Sequence, residues 1–471
     1  MGQRPSRFAS WLTMVEAKDV IIVGGGFAGL SAGVALAEKG FRVALLEAKP
    51  ALGGRAYSFA DAESGDFVDN GQHVLMGCYT ETLDFLEHIG ASKNLVFHQD
   101  LEIEMLDRGG ARAKLKTAHL PGPFHMTSGL LRYRHLTMRQ RMRVMIGGLR
   151  LLAMRRRDPV ALQQLTVAQL MDALRQGQRA RESFWYPLSI ATLNDEPEVS
   201  SAALLAEVLK RAFFAKRSDS AFVYSRVGLS DLYCTGSSAR IERGGGVVSM
   251  RSPVETIEIE NGTAVRARLR DGTRLGAANF ICTVPSHQVG RLLPASMRED
   301  SFFAPIAELK NSPIICVHAW FDRVVTNSAF VGFIGTTTQW LFNKRRIFEQ
   351  RGERHPGYLS FVISGARKLV DRSNEELAAV VLDDLKTMIP AAIEAKVLRT
   401  LVLKEKYATM APSPETFRLR PSTATPISNL FLAGDWVQTG LPATIESAVI
   451  SGRAAASAIS SRATETIAVA A

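Results

Sequence analysis

Val20–Gly33 reads VIIVGGGFAGLSAG, and Val43–Glu47 after it reads VALLE. The apolar, β-branched run Val20–Val23 suits a buried parallel strand. Gly24, Gly26 and Gly29 then give G-x-G-x-x-G. Gly24 permits the tight turn, Gly26 lets backbone approach a pyrophosphate, and Gly29 lets the next helix pack close to the strand. That helix is expected over Ala28–Lys39, its free N–H groups and positive dipole end facing the phosphates. Gly40 stops it. Phe41–Leu46 is the second strand, and Glu47 stands eighteen residues after Gly29. A carboxylate there accepts hydrogen bonds from a ribose 2′-hydroxyl and repels a 2′-phosphate. Strand, helix, strand and acid in this order make a dinucleotide-binding unit, where a bare glycine cluster would not. Leu52-Gly53-Gly54-Arg55-Ala56 follows. It either brings backbone and a fixed positive charge to the centre of the ligand or forms a turn with a surface arginine.

A second stretch, Leu430–Ala448, reads LFLAGDWVQTGLPATIESA. Leu430–Ala433 suits a buried strand with Gly434-Asp435 at its end, where Asp435 can accept hydrogen bonds from ribityl hydroxyls. Thr439–Pro442 turns into a helix expected over Ala443–Ile459, and Pro442 suits its start. Free N–H groups at that terminus, aimed at a flavin pyrimidine edge, would stabilise the anionic reduced form. The two stretches together point to FAD held by both ends of the chain. Between them, Gly244-Gly245-Gly246 precedes a β-type run, Val247–Glu260. Asn261-Gly262 and Asp271-Gly272 signal hairpin turns, and Asn279–Val284 is a further strand. This block is expected to return to the nucleotide domain, with the Val254 backbone near adenine.

The chain has 471 residues, 46% apolar and 22% charged, which are globular values and enough for two domains. No run of eighteen apolar residues suggests a transmembrane helix. The first seventeen residues carry no secretory signal and are expected to be a disordered tail, with Met14 an alternative start. The four cysteines lie far apart with no metal-ligand spacing, so reduced thiols and no metal site are expected, in the cytoplasm. The net charge of +11 is concentrated: residues 108–157 hold thirteen Lys and Arg and no Asp or Glu. Within them Met138, Met142, Met145, Leu149 and Leu152 fall at helical spacing. Either this is a basic surface helix packed on the core, or it lies on an anionic membrane surface. Nucleic-acid binding is disfavoured, for no recognised module or interleaved aromatics accompany the charge.

The fold class expected is α/β with an α+β second domain: a Rossmann-type FAD-binding domain of glutathione-reductase-like type, interleaved with a substrate-binding domain. Residues 18–65, 235–292 and 410–462 are assigned to the first, and 66–234 and 293–409 to the second. The basic helix falls around 137–157, and 463–471 form a tail. Short strands are expected at Phe67–Val74 and Leu101–Leu106, and helices over 130–220. Strands Ile314–Phe321 and Tyr358–Ile363 and helix Asn374–Met388 complete the second domain.

One further cluster is Asp69-Asn70-Gly71-Gln72-His73 followed by Gly77-Cys78-Tyr79. Asp69 or His73 is a candidate general acid if pointed at substrate. GGGFAGLSAG, LGGRA, DNGQHVLMGCY, QWLFNK (Gln339–Lys344) and LFLAGDWVQTGLPATIESAVISGRAA resemble the flavoprotein amine-oxidase/phytoene-desaturase superfamily, over about residues 18–460. DNGQH with GCY, and GDW with TGLPATIE, point to its squalene-associated FAD-dependent desaturase branch. The chain departs from the superfamily in its N-terminal tail and in Ser447, where glycine is common. The candidate cofactor contacts are Gly24, Gly26, Phe27, Ala28, Gly29, Glu47, Gly53, Gly54 and Arg55. With them go Gly71, Gln72, Val254, Gly434, Asp435, Pro442, Ala443 and Thr444.

The resemblance implies reduction of 12-hydroxysqualene to squalene, for hopanoid or sterol synthesis. It implies a long-chain isoprenoid in a dry tunnel, a mouth docked peripherally on the inner face of the cell membrane, and functional association with squalene-synthase-like enzymes. A carotenoid desaturase shares the fold and cofactor and runs hydride transfer the other way. An amine oxidase is disfavoured by the absence of Tyr-Thr-Gly-Trp. A non-catalytic FAD and prenyl-lipid carrier would have no need of Glu47, Arg55 and Asp435.

Overall fold

The computed structural model describes residues 18–98, 101–122, 124–348 and 355–470. The N-terminal tail and Met14 lie outside the described residues. Lys18–Val23 forms the expected first strand, paired in parallel with Val43–Leu46 on one side and with Arg274–Cys282 on the other. Val247–Ser249 extends the sheet beyond Val43–Leu46, and Leu430–Leu432 extends it beyond Arg274–Cys282, both in parallel. Strands from the beginning, middle and end of the chain therefore share one sheet. Their near-continuous apolar character follows from burial on both faces: Val20, Ile21, Ile22, Leu45, Ile281 and Leu430 are fully buried.

The fingerprint helix runs Phe27–Glu38 and the C-terminal helix Ile445–Ala470. The latter begins after Pro442 and Ala443, which stay in the preceding turn. It also runs on to Ala470, through the segment from 463 expected as a tail. The Thr444 hydroxyl accepts from Ser447 N (3.2 Å), closing its first turn.

A second seven-stranded sheet takes the order Val397–Met410, Asn311–Phe321, Gly357–Ile363, Trp340–Asn343, Phe330–Ile334, Glu102–Asp107, Arg112–Lys116. It is antiparallel except where Phe330–Ile334 meets Glu102–Asp107. Asn374–Met388 is helical as expected, opened by a Ser373–Glu376 capping box, and buries Leu377, Val381 and Leu385 against this sheet. Helices between Phe124 and Phe213 form a separate cluster around Leu151, Leu170, Trp185 and Leu205.

Two expected strands are interrupted. The run from Phe67 stops at Asp69, where Asn70 turns to accept from Tyr57 N (3.1 Å) and to donate to Arg55 O (2.9 Å). Val247–Glu260 breaks into Val247–Ser249 and Val254–Glu260. Between them Arg251 is left-handed (φ 54°), and Pro253 brings no N–H for a ladder. Asn261 and Gly262, both at positive φ, make the expected hairpin turn.

Candidate functional site

The fingerprint glycines do different work. A Cβ on Gly29 would lie 2.0 Å from the Gly24 carbonyl oxygen, and Gly24 itself sits at φ +112° against Thr283. Both are required by the protein's own packing. A Cβ on Gly26 would meet only Gly54 Cα, at 3.8 Å. Gly26 and Gly54 thus face each other as bare backbone, a cradle that a side chain would fill and a pyrophosphate fits. Phe27 points away from it, stacked on Tyr233 with ring centroids 3.7 Å apart, so only the backbone of Phe27, Ala28 and Gly29 is offered to the phosphates.

Glu47 is buried, and its carboxylate accepts from Gly25 N (2.7 Å) and Lys49 N (2.8 Å). These bonds fix the acid at the end of its strand, with lone pairs left for a ribose. The segment leading to Val254 is tied to the same turn, through Ser252 N on Glu47 O (2.8 Å). Gly53 and Gly54 both take positive φ. The Tyr233 hydroxyl donates to Gly53 O (2.7 Å) and lies 2.9 Å from Ala56 O, buttressing that loop.

Arg55 donates to Asp435 and to Ala408 O (3.0 Å), joining the two ends of the chain. The surface-arginine alternative is thereby excluded. Asp435 keeps its second carboxylate oxygen for other donors. The turn around it is held by Arg420, a buried guanidinium that donates to the carbonyls of Asp435 (2.9 Å), Val437 and Leu441. Burial pushes the Arg420 pKa down to about 10, opposed by Asp435. Ser447, the departure from the superfamily, contributes a hydroxyl 2.6 Å from Thr439 Oγ1 and 3.3 Å from Asp435 O. Arg420 and Tyr233 carry no local motif, and only their partners reveal their part.

A cavity of about 630 Å³ opens beside this turn. Gln72, His73, Pro442, Ala443 and Thr444 line it where the C-terminal helix begins, and Phe124, Met145 and Leu149 line it at the basic helix. Between them the wall is mostly aromatic and aliphatic. Parts of two π-helical turns, Arg181–Trp185 and Leu209–Phe213, contribute to it; such turns recur at functional sites. Glu446 reaches the same cavity. Its carboxylate caps the helix that starts at Thr80, accepting from Thr82 N (2.9 Å), Thr82 Oγ1 (2.7 Å) and Glu81 N (3.1 Å).

The two candidate acids part company. Asp69 is buried, accepting from Lys344 Nζ (3.0 Å) and Leu229 N (3.2 Å), and does not line the cavity. As an acid facing substrate it is ruled out. His73 does line the cavity. Its Nε2 is buried without a hydrogen-bond partner among the described residues, and burial pushes its pKa below the ordinary 6.5, which Asp69 opposes and Lys344 reinforces. Gly71 lies beside that ring. Cys78, also in the wall, is pushed up to about 12 by burial and is inert as a nucleophile. Among the described residues no group of three or more His, Cys, Asp or Glu could hold a metal ion.

The basic helix, Met138–Arg157, opens with a Thr137–Gln140 capping box. Its buried face is Val144, Gly147, Gly148 and Leu151. Of the expected apolar stripe, Met138, Met142 and Leu149 are exposed, joined by Ile146, while Met145 packs against the core. Among the described residues no helix is long and apolar enough to cross a membrane.

Comparison with known proteins matches residues 27–460 to the family described as flavin containing amine oxidoreductase. Hydroxysqualene dehydroxylase of Rhodopseudomonas palustris is 28% identical, the match covering 93% of this chain and 97% of that protein. The 15-cis-phytoene desaturase of Solanum lycopersicum is 25% identical, over 94% of this chain and 77% of that protein. Among solved structures, putrescine oxidase bound to putrescine superposes with a TM-score of 0.68 at 19% identity, covering 94% of this chain and 99% of that one. Cyclohexylamine oxidase from Brevibacterium oxydans gives 0.68 at 16%, covering 95% and 100%. At these identities the structures establish a shared fold.

Proposed function

The chain belongs to the flavin containing amine oxidoreductase family as an FAD-dependent oxidoreductase, and we propose that its reaction is the reductive dehydroxylation of 12-hydroxysqualene to squalene. The observation that carries this reading is the cavity: large, with a mostly apolar wall, and with Gln72 and His73 among its polar lining residues. A hydrocarbon chain fills such a space by the same transfer free energy that builds a core, about 25 cal/mol per Å² of apolar surface. The relatives named hydroxysqualene dehydroxylase support the same substrate class.

FAD held in the glycine cradle would supply, when reduced, a hydride for an allylic carbon, whose hydroxyl would take up a proton and leave as water. The chain's own residues bind, orient and exclude. Glu47 and the Gly26–Gly54 cradle would hold the nucleotide end, and Asp435, fixed by Arg55, would accept from the ribityl hydroxyls. N–H groups at the start of the C-terminal helix favour negative charge in front of them. The apolar wall keeps water from the reacting centre. His73, neutral at pH 7, can hold or pass a proton there as one donor and one acceptor. The exposed stripe Met138, Met142, Ile146 and Leu149, flanked by arginines, is suited to lie on an anionic bilayer with the cavity mouth against the lipid.

Anaerobic mixing of photoreduced protein with 12-hydroxysqualene tests the reaction. Flavin reoxidation with formation of squalene is expected, and the absence of both would overturn it. The similarity to phytoene desaturases keeps one second reading: oxidised protein would then be bleached by phytoene and not reoxidised by the alcohol.

A further inference from the structure

Lys344 was marked in the sequence only as the end of QWLFNK. Its side chain is 1% exposed, at the end of strand Trp340–Asn343. Its nitrogen lies 3.0 Å from Asp69 Oδ2, 2.7 Å from Gln72 Oε1 and 3.8 Å from the centre of the Phe348 ring. An ammonium has three protons and no lone pair, so these contacts account for it. Neither Lys344 nor Asp69 lines the cavity, whereas Gln72 does.

The chemistry of the contact orients Gln72. Lys344 can only donate, so the amide must present its oxygen to Lys344 and turn its NH₂ the other way. No partner for that NH₂ is found among the described residues. A carbonyl already bonded to a cation makes its own N–H groups stronger donors, because linked hydrogen bonds polarise one another in a low-dielectric interior.

We propose that Lys344 is a positioning residue: it fixes Gln72 as a polarised donor to the hydroxyl oxygen of an allylic alcohol held at the inner end of the cavity. The donor is set before the ligand arrives, and it binds more strongly as the C–O bond weakens and the oxygen gains negative charge. The proposal rests on the dehydroxylation reading and deepens it, assigning the part of the site that tells alcohol from hydrocarbon.

The test compares binding of 12-hydroxysqualene and squalene to oxidised, FAD-loaded protein in detergent micelles, read from the flavin absorbance. The wild type is expected to hold the alcohol roughly tenfold more tightly, the worth of one hydrogen bond. Gln72→Met should erase that preference and leave squalene affinity unchanged. Lys344→Met paired with Asp69→Asn should do the same without stranding a buried charge, and Lys344→Arg should restore it. Flavin content and melting temperature show that each variant is folded. A preference that survives in folded Gln72→Met, or in the folded double variant, overturns the proposal while the dehydroxylation reading stands. A wild type that binds neither molecule overturns both.

Discussion

Gly26 and Gly29 are the same residue for opposite reasons. Gly29 is demanded by the fold, since its Cβ would strike Gly24 O, and Gly26 by the ligand, since its Cβ would make no closer contact than Gly54 Cα at 3.8 Å. A similar division runs through the buried polar groups. Asp69 is spent on Lys344 and on the Leu229 backbone, and Asn70 on the backbone of Tyr57 and Arg55. His318 belongs with them: its Nδ1 lies 3.0 Å from the Tyr358 hydroxyl and its Nε2 3.4 Å from Cys316 Sγ. Burial, with Lys344 adding to it and Asp69 backbone and Asp61 opposing, drives its pKa from 6.5 to about 3. The folded state therefore keeps His318 neutral at pH values where the unfolded chain has already taken up a proton. Unfolding binds one more proton in that window, so stability falls as the pH drops from about 6.5 to about 3. The contribution is about 1.4 kcal/mol per pH unit, and it is flat above the window. Urea unfolding across this range should give a slope shallower by that amount in His318→Gln than in wild type. Equal slopes would show that His318 is not the group responsible. His73, His125 and His287, also lowered chiefly by burial, and carboxylates that burial would raise but their partners lower, such as Asp107 by Arg179 and Glu207 by Arg211, add acid sensitivity common to both proteins.

The basic helix has two apolar faces on opposite sides. Val144, Gly147, Gly148 and Leu151 meet the core, and the glycines let Gln176, Trp185 and Phe214 come close. Met138, Met142 and Ile146 meet solvent. A helix packed only as a lid over the core has no use for the second face, and its arginines would serve solubility without it. A bilayer surface uses both the face and the charge. Replacing Met138, Met142 and Ile146 together by Glu should leave melting temperature and flavin content unchanged, because none of the three packs inside. Co-flotation with anionic vesicles should be lost, and turnover of vesicle-embedded substrate should drop roughly tenfold or more. Turnover of detergent-presented substrate should be spared. Flotation that persists in the triple variant would remove the membrane from the account of this helix.

At the scale of the whole molecule, the sequence was most legible where chemistry is local. Gly24–Glu47 and Gly434–Thr444 each place glycine, acid and helix terminus within one continuous stretch, and the structure builds a turn from each. The apolar runs at Val20–Val23, Asn279–Val284 and Leu430–Ala433 are legible as strands of one domain, and the structure pairs Arg274–Cys282 in parallel with Lys18–Val23 and with Leu430–Leu432. Contacts across long separations left no such trace. Lys344 and Asp69 are 275 residues apart, and Asp69 alone looked like an acid free for substrate. Arg420 and Tyr233 bond carbonyl oxygens, which any sequence supplies. The segment from 463, Ala-Thr-Glu-Thr-Ile-Ala-Val-Ala-Ala, carries no clear stop or periodic signal and reads as a tail, yet the C-terminal helix runs on to Ala470. The joint between the two ends of the chain is likewise made of small residues. Gly452, on the C-terminal helix, faces the fingerprint helix so closely that a Cβ would lie 2.3 Å from Ala28 O. Arg55–Asp435 closes the same joint from the ligand side. A branched side chain at Gly452 must push the fingerprint helix away from the C-terminal one and shift the N–H groups of Phe27 and Ala28 off the phosphates. Gly452→Val should then purify with its flavin-to-protein absorbance ratio reduced several-fold. Its melting temperature should also no longer rise on adding FAD, a rise worth about 2.7 kcal/mol at a hundredfold excess over Kd in a protein that binds normally. Full flavin retention in Gly452→Val would mean that the two helices can separate without disturbing the cradle, and that the C-terminal strand and turn alone complete the site.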